Sequence, residues 1–320
     1  MAHIKWNANL KLILSDVDET VADLYTAATF EMCKELEKVL AHRTVIFFIT
    51  GQSIKSVQWR ITDKIKPELR KKILIGHCSG AEVWGFDRRG QINAKPFYSL
   101  YKNILFEKQK KRWREIVNQI IKEFKLQPYP AEPIADFKTK VGNNPLAIMR
   151  EDRGPQITLE IINGYDLTPG QEKELEINIP HTHGNLDLRI PIIERIDQLL
   201  QESNLPISPR LAGVFAIDLA LKGVSKTTAI KYILDNEEVL KAVGLTKKYL
   251  KPENIEVWGD KFSVKRGGTD RHMSEALAKQ VRSITFREEN PEEFLEGYHI
   301  VVWDGQKHLH EGLLEFLSSR

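Results

Sequence analysis

At 320 residues the chain is long enough for one large domain or two modest ones. Its 42% hydrophobic and 28% charged residues are those of an ordinary soluble globular protein, and a net charge of +3 gives no electrostatic case for nucleic acid or a membrane as main partner. Two cysteines, Cys33 and Cys78, exclude a disulfide framework and are expected as buried free thiols. No stretch nears the ~20 apolar residues that span a bilayer, and the N-terminus lacks the pattern of a secretory signal, so a cytoplasmic location is expected.

In chain order, the first apolar run, Leu10 to Leu14, is short and lacks helical spacing. It ends in the acidic cluster Ser15-Asp16-Val17-Asp18-Glu19-Thr20, which predicts a buried strand. A helix follows with Phe30, Cys33, Leu36 and Leu40 on one face. Val45 to Ile49 predicts a second strand closed by Thr50-Gly51, Ile54 to Ile65 a helix, and Ile73 to Ile75 a third strand. Alternation of this kind is the signature of a parallel sheet covered on both faces.

From about residue 100 to 215 the pattern changes. A long basic helix places Trp113, Ile116, Ile120 and Phe124 on one face, and Pro128, Pro130 and Pro133 follow. Ile157 to Ile162 alternates like a half-solvated strand, and Ile192, Ile196 and Leu199 mark a further helix. The α/β pattern then returns, with a strand over Val214 to Leu219 and a helix near Ser225. Ile255 to Trp258 and Ile300 to Trp303 predict strands closed by Gly259-Asp260 and Asp304-Gly305, and the last helix carries Leu309, Leu313, Phe316 and Leu317. The expected fold is a doubly wound parallel-sheet α/β core of residues 1–98 and 219–320, interrupted by an inserted α+β domain of residues 99–218.

The residues that carry chemistry fall at predicted strand ends, where open α/β sheets place their ligands. Asp16 and Asp18 stand at i and i+2 beyond the first strand. One carboxylate of such a pair can attack phosphorus and the other can pass the proton, while clustered carboxylates recruit magnesium. Thr50 and Gly51 can bind phosphate oxygens through hydroxyl and backbone N–H. Lys226, at the start of a helix, can neutralise a transferring phosphoryl group, and Asp260 and Asp270 can complete a magnesium site. Taken singly, each has a plainer reading as a solvated turn, a surface lysine or a glycine-rich loop. Their order and spacing together single them out.

On these stations the sequence resembles the haloacid dehalogenase superfamily of phosphohydrolases: Asp16-Val17-Asp18-Glu19-Thr20, then Thr50-Gly51, then Lys226, then Gly259-Asp260 with Asp270. The insertion of about 115 residues between the second and third stations, preceded by Cys78-Ser79-Gly80-Ala81-Glu82-Val83, resembles the branch with a large α/β cap, which includes phosphomannomutases and sugar-phosphate phosphatases. The resemblance implies Asp16 as nucleophile and magnesium ligand, and Asp18 as acid/base lending its carbonyl to the metal. It implies Thr50, Gly51 and Lys226 as the phosphate cradle, Asp260 as a metal ligand and Asp270 as support for the metal shell. Glu19 stands where the family usually has glycine, adding a carboxylate beside the substrate. Thr269 replaces a frequent asparagine, and the interval from Asp260 to Asp270 is longer than the commonest form. The implied activity is magnesium-dependent hydrolysis of a small phosphate monoester, with sugar phosphates the leading class. A phosphosugar mutase would use the same residues, and a non-catalytic phospho-ligand binding protein is the rival from another class.

Other features have simpler expectations. The basic segment Lys108 to Arg114 is flanked by Glu107 and Glu115 and reads as a solvated helix face. His181 and His183 lack a third ligand at a recognisable spacing and read as part of a cap loop. Arg150, Arg153 and Arg189 are candidates for a second anionic group, although each alone is more simply a surface arginine.

Overall fold

The computed structural model describes residues 4–165, 167–175, 181–182, 185–212 and 215–320. The apolar runs form the centre of an eight-stranded sheet, in the order Ile300–Val302, Arg282–Thr285, Ile255–Gly259, Leu12–Ser15, Val45–Ile49, Ile73–His77, Glu82–Trp84, Tyr98–Ser99. The first six run parallel and the last two close one edge antiparallel. The four central strands are buried at every position, as a sheet covered on both faces requires. The chain moves outward from Leu12–Ser15 in one direction and later resumes on its other side, so the strand order reverses beside that strand.

Helix Phe30–Ala41 is capped by the Thr29 side chain and buries Met32, Cys33, Leu36, Val39 and Leu40. Phe30, expected on that face, is exposed and lies under Lys34 Nζ at 4.3 Å. As the first helical residue it points back beyond the packed turn. The helix expected over Ile54 to Ile65 is Ile54–Arg60 followed by a 3₁₀ turn, Thr62–Lys64; Ile61 breaks the run at φ −132°, and both Ile61 and Ile65 are buried. Cys33 and Cys78 are free and buried, and burial pushes the Cys33 thiol up to about 11.

Residues 1–99 with 224–320 form one compact unit and residues 100–223 a second. The second carries a five-stranded sheet, Ile207–Ala212, Ala216–Leu221, Gln156–Glu160, Ala147–Asp152, Gln127–Tyr129, antiparallel except for its last pair. Helices Glu107–Glu123 and Arg189–Glu202 bury Trp113, Ile116, Val117 and Ile120, and Ile192, Ile196, Leu199 and Leu200. Phe124 is only half-buried at the helix end.

Two expectations change here. Strand Gln156–Glu160 is buried throughout rather than half-solvated. Two of its polar side chains are paired internally, Gln156 Nε2 donating to Thr158 Oγ1 at 3.1 Å and Thr158 Oγ1 to Asp218 at 2.8 Å. The strand read as the return of the core is Ala216–Leu221, which pairs with Gln156–Glu160 in the second sheet, so a boundary at residue 219 falls inside a strand. Among the described residues no helix is long and apolar enough to cross a membrane.

Candidate active site

Three carboxylates meet beyond the carboxyl ends of two adjacent strands. Asp16 follows Leu12–Ser15 and its N–H donates to the Trp258 carbonyl at 3.0 Å, which ties it to the strand that ends at Gly259. Asp260 follows that strand directly. Asp270 folds back beneath it: its Oδ2 accepts the N–H groups of Asp260 at 3.0 Å and Lys261 at 3.1 Å. Gly259 permits this approach, since a Cβ there would lie 2.6 Å from Asp270 Oδ2. One oxygen from each of the three lies within 4.8 Å of the others.

Lys226 joins them across 210 positions of sequence. It opens helix Lys226–Asp235, behind the Ser225 cap, and its Nζ lies 2.9 Å from Asp16 Oδ1 and 2.8 Å from Asp270 Oδ1. Packing brings the helix close: Gly80, at φ +87°, lies where a Cβ would meet Ala229 Cβ at 2.8 Å. Thr50 ends Val45–Ile49 and is buried, with its carbonyl accepting the Ser79 N–H at 2.7 Å; Gly51 follows, half-buried.

Asp18 turns away from this cluster. Its Oδ1 is 2.7 Å from Arg60 Nη1, and its Oδ2 accepts a long hydrogen bond from Thr50 Oγ1 at 3.4 Å. Glu19 adopts φ 58°, the left-handed region that explains why glycine suits this place. Its carboxylate accepts from Arg287 Nη2 at 2.6 Å and Lys261 Nζ at 3.1 Å, and Arg287 Nη2 also reaches Asp260 Oδ2 at 2.8 Å. Partial burial would raise the Glu19 carboxyl, but Lys261 and Arg287 outweigh it and hold it below the usual range.

The electrostatics fit a divalent cation. Burial pushes Asp16 well above the ordinary carboxylate range; Lys226 opposes this, while Asp270, Asp260 and Asp18 add to it. Burial and then Asp270 raise Asp260 to about 7, against Lys261 and Arg287. Burial also disfavours the Lys226 ammonium, yet Asp16 and Asp270 hold its pKa above the usual value. The negative charge is therefore only partly compensated by protein. Among the described residues, Asp16 Oδ2 and Asp260 Oδ1 accept no hydrogen bond, and such hard oxygen donors suit magnesium. Both Asp270 oxygens are taken, which makes it a support for the loop.

Three residues escaped the sequence reading. Arg60 is wholly buried, and its signal was a charge on the apolar stripe between Val57 and Ile61. Arg287 lies two positions beyond Arg282–Thr285, a strand too short and polar to stand out. Glu289 accepts the N–H groups of Phe262 and Ser263, each at 2.9 Å, and the Thr285 hydroxyl at 2.8 Å, bracing the loop after Asp260. In the second unit, Arg189 is not available for an anion: it is buried against Asp187 at 2.8 Å and stacked over Tyr165. Arg150 bonds Asn118 at 2.8 Å and Arg153 bonds Glu151 at 2.7 Å. In the basic helix Lys110 pairs with Glu107 and Arg114 with Asp152, both at 2.7 Å. His181 opens the short strand His181–Thr182, while His183 lies outside the described residues.

No family model and no curated protein matches the sequence. Among solved structures, the chain is similar to a haloacid dehalogenase-like hydrolase from Bacteroides thetaiotaomicron, with TM-score 0.57 and 14% identity over 97% of this chain and 99% of that one. The C-terminal domain of C. albicans trehalose-6-phosphate phosphatase gives 0.54 and 11% over 97% and 92%, and a trehalose-6-phosphate phosphatase related protein 0.51 and 12% over 97% and 96%. The mixed α/β fold with its large, mostly parallel sheet is thus the fold of haloacid dehalogenase-like proteins.

Proposed function

We propose that the protein is a magnesium-dependent phosphatase acting on a small phosphate monoester, with a sugar phosphate as the leading class. The observation that carries this reading is the buried meeting of Asp16, Asp260 and Asp270 with Lys226 at the point where strand order reverses. Asp16 attacks phosphorus, and the ester oxygen leaves with a proton from Asp18, giving an aspartyl-phosphate and a free alcohol. A water then attacks the same phosphorus while Asp18 takes its proton, releasing inorganic phosphate and restoring Asp16. Lys226, Thr50 and Gly51 hold the phosphoryl oxygens. Magnesium, held by Asp16, Asp260 and the Asp18 carbonyl, would neutralise charge on the transferring group.

The inserted unit, residues 100–223, serves in this reading as the substrate-selecting cap. Two of the structural neighbours are a trehalose-6-phosphate phosphatase and a protein related to one, which supports the choice of sugar phosphates. Free buried thiols suit a reducing compartment such as the cytoplasm.

The test is phosphate release from a panel of sugar phosphates and an aryl phosphate, with and without magnesium, using Asp16→Asn as control. Magnesium-dependent release by the native protein and none by the variant is expected. An isomerised sugar phosphate in place of free phosphate would mark a mutase, and ligand binding without turnover a binding protein.

A further inference from the structure

Arg60 is a charged side chain placed where the sequence calls for an apolar one. It ends helix Ile54–Arg60, is 0% exposed, and sits beside the buried Val57 and Ile61. Removing a guanidinium from water costs several kcal/mol unless its donors are met. Here each of its three nitrogens has an acceptor: Nη1 donates to Asp18 Oδ1 at 2.7 Å, Nη2 to the Asp23 carbonyl at 2.9 Å and Nε to the Thr26 carbonyl at 2.6 Å. The same fork therefore grips the Asp18 carboxylate and the loop that follows it. Among the described residues the other Asp18 oxygen has only the 3.4 Å contact from Thr50 Oγ1.

We propose that Arg60 is a positioning residue for proton transfer: its fork fixes the rotamer of Asp18 and so sets how well that group serves the leaving oxygen. This rests on Asp18 being the acid/base, as proposed above. A rival role is open to the same contacts, because two of the three bonds go to loop carbonyls and would simply hold the chain. The two roles separate by leaving group. A nitrophenolate departs with little help, whereas an alkoxide needs the proton, and kcat/KM reports that first step for both substrates.

The experiment measures kcat/KM on para-nitrophenyl phosphate and glycerol phosphate, with magnesium, for the native protein, R60K, R60M, D18N and D18N/R60M. Poor positioning in R60M should cost on the order of 100-fold on glycerol phosphate but only a few-fold on the aryl ester, within the range general acid catalysis supplies. R60K, which keeps the charge without the fork, should fall between. Adding R60M to D18N should change kcat/KM by no more than about 2-fold, since the two act as one unit. Equal losses on both esters, or a full further loss in the double variant, would overturn the proposal and leave Arg60 as a loop anchor. If D18N itself lowers both esters equally, the acid role of Asp18 fails instead. Should R60M not fold, R60K decides alone: a loss confined to the alkyl ester with a native melting curve supports positioning, and a uniform loss rejects it.

Discussion

Glu19 carries two opposed effects that substitutions can separate. Its φ of 58° is a conformation that costs a non-glycine residue roughly 1–2 kcal/mol, whereas its carboxylate joins Arg287 and Lys261 at 2.6 and 3.1 Å. Lys261 is half-exposed and Arg287 about a third exposed, so each pair is screened and contributes at most about 1 kcal/mol. Glu19→Gln keeps the strained backbone and loses both pairs, so it should be destabilised by about 1–2 kcal/mol. Glu19→Gly loses the same pairs but relieves the strain, less about 0.5–1 kcal/mol for the freer unfolded chain. The glycine variant should therefore be the more stable of the two by about 1 kcal/mol, or about 2–4 °C in melting temperature for a unit of this size. Glu19→Ala is the control and should track the glutamine variant. Thermal and urea melts of the three would settle it. A glycine variant melting at or below the glutamine variant would show that the left-handed backbone is not the dominant cost at this position.

Two further predictions concern buried charge. Lys226→Met leaves Asp16 and Asp270 without their shared cation, so stability should fall by about 3–5 kcal/mol, and adding Asp16→Asn should restore part of it in urea melts; additive losses would contradict the coupling. His77 is buried between Glu82 Oε2 and Cys78 Sγ, each at 3.2 Å. Burial lowers its pKa, but Cys78 and Glu82 outweigh that and raise it to about 9. Because the folded value lies above the unfolded one of about 6.5, its contribution is full below that pH and is lost as pH rises through about 9, on the order of 3 kcal/mol. Urea midpoints should fall over that interval in the native protein and much less in His77→Gln, and parallel profiles for the two would refute the assignment.

The parts of the fold that were legible share one property: they are local. Val45 to Ile49 is buried on both faces, so its apolar run is continuous and its polar stop at Thr50 is abrupt. Arg282–Thr285 is likewise paired on both sides but gives no such run, because Ser283 and Thr285 are buried through hydrogen bonds to Ser274 and Glu289. Strand Gln156–Glu160 reads as half-solvated for the same reason, Gln156 and Thr158 being paired inside the unit. Arg60 meets Asp18 across 42 positions, and Arg287 meets Glu19 across 268. Contacts of that span are set by topology and leave no periodic trace, so the outer ring of the site came only with the structure.

That ring bears on the charge balance of the site. Five carboxylates, Asp16, Asp18, Glu19, Asp260 and Asp270, face four cations, Arg60, Lys226, Lys261 and Arg287. The cations are spent unevenly. Arg60 serves Asp18, Lys261 and Arg287 are shared between Glu19 and Asp260, and Lys226 is divided between Asp16 and Asp270. The uncompensated charge therefore lies on Asp16 and Asp260, the two groups of this ring whose carboxyls are most plainly raised and each of which keeps one oxygen that faces no donor among the described residues. A phosphate monoester arriving as a dianion would meet like charge there in a buried setting, where repulsion is weakly screened. On the proposed reading, Asp16 and Asp260 would hold a divalent cation there, whose charge would favour the ionised Asp16 carboxylate and offset the repulsion of the incoming phosphoryl group. Metal and phosphate would then each raise the affinity for the other by the same factor, as linkage requires.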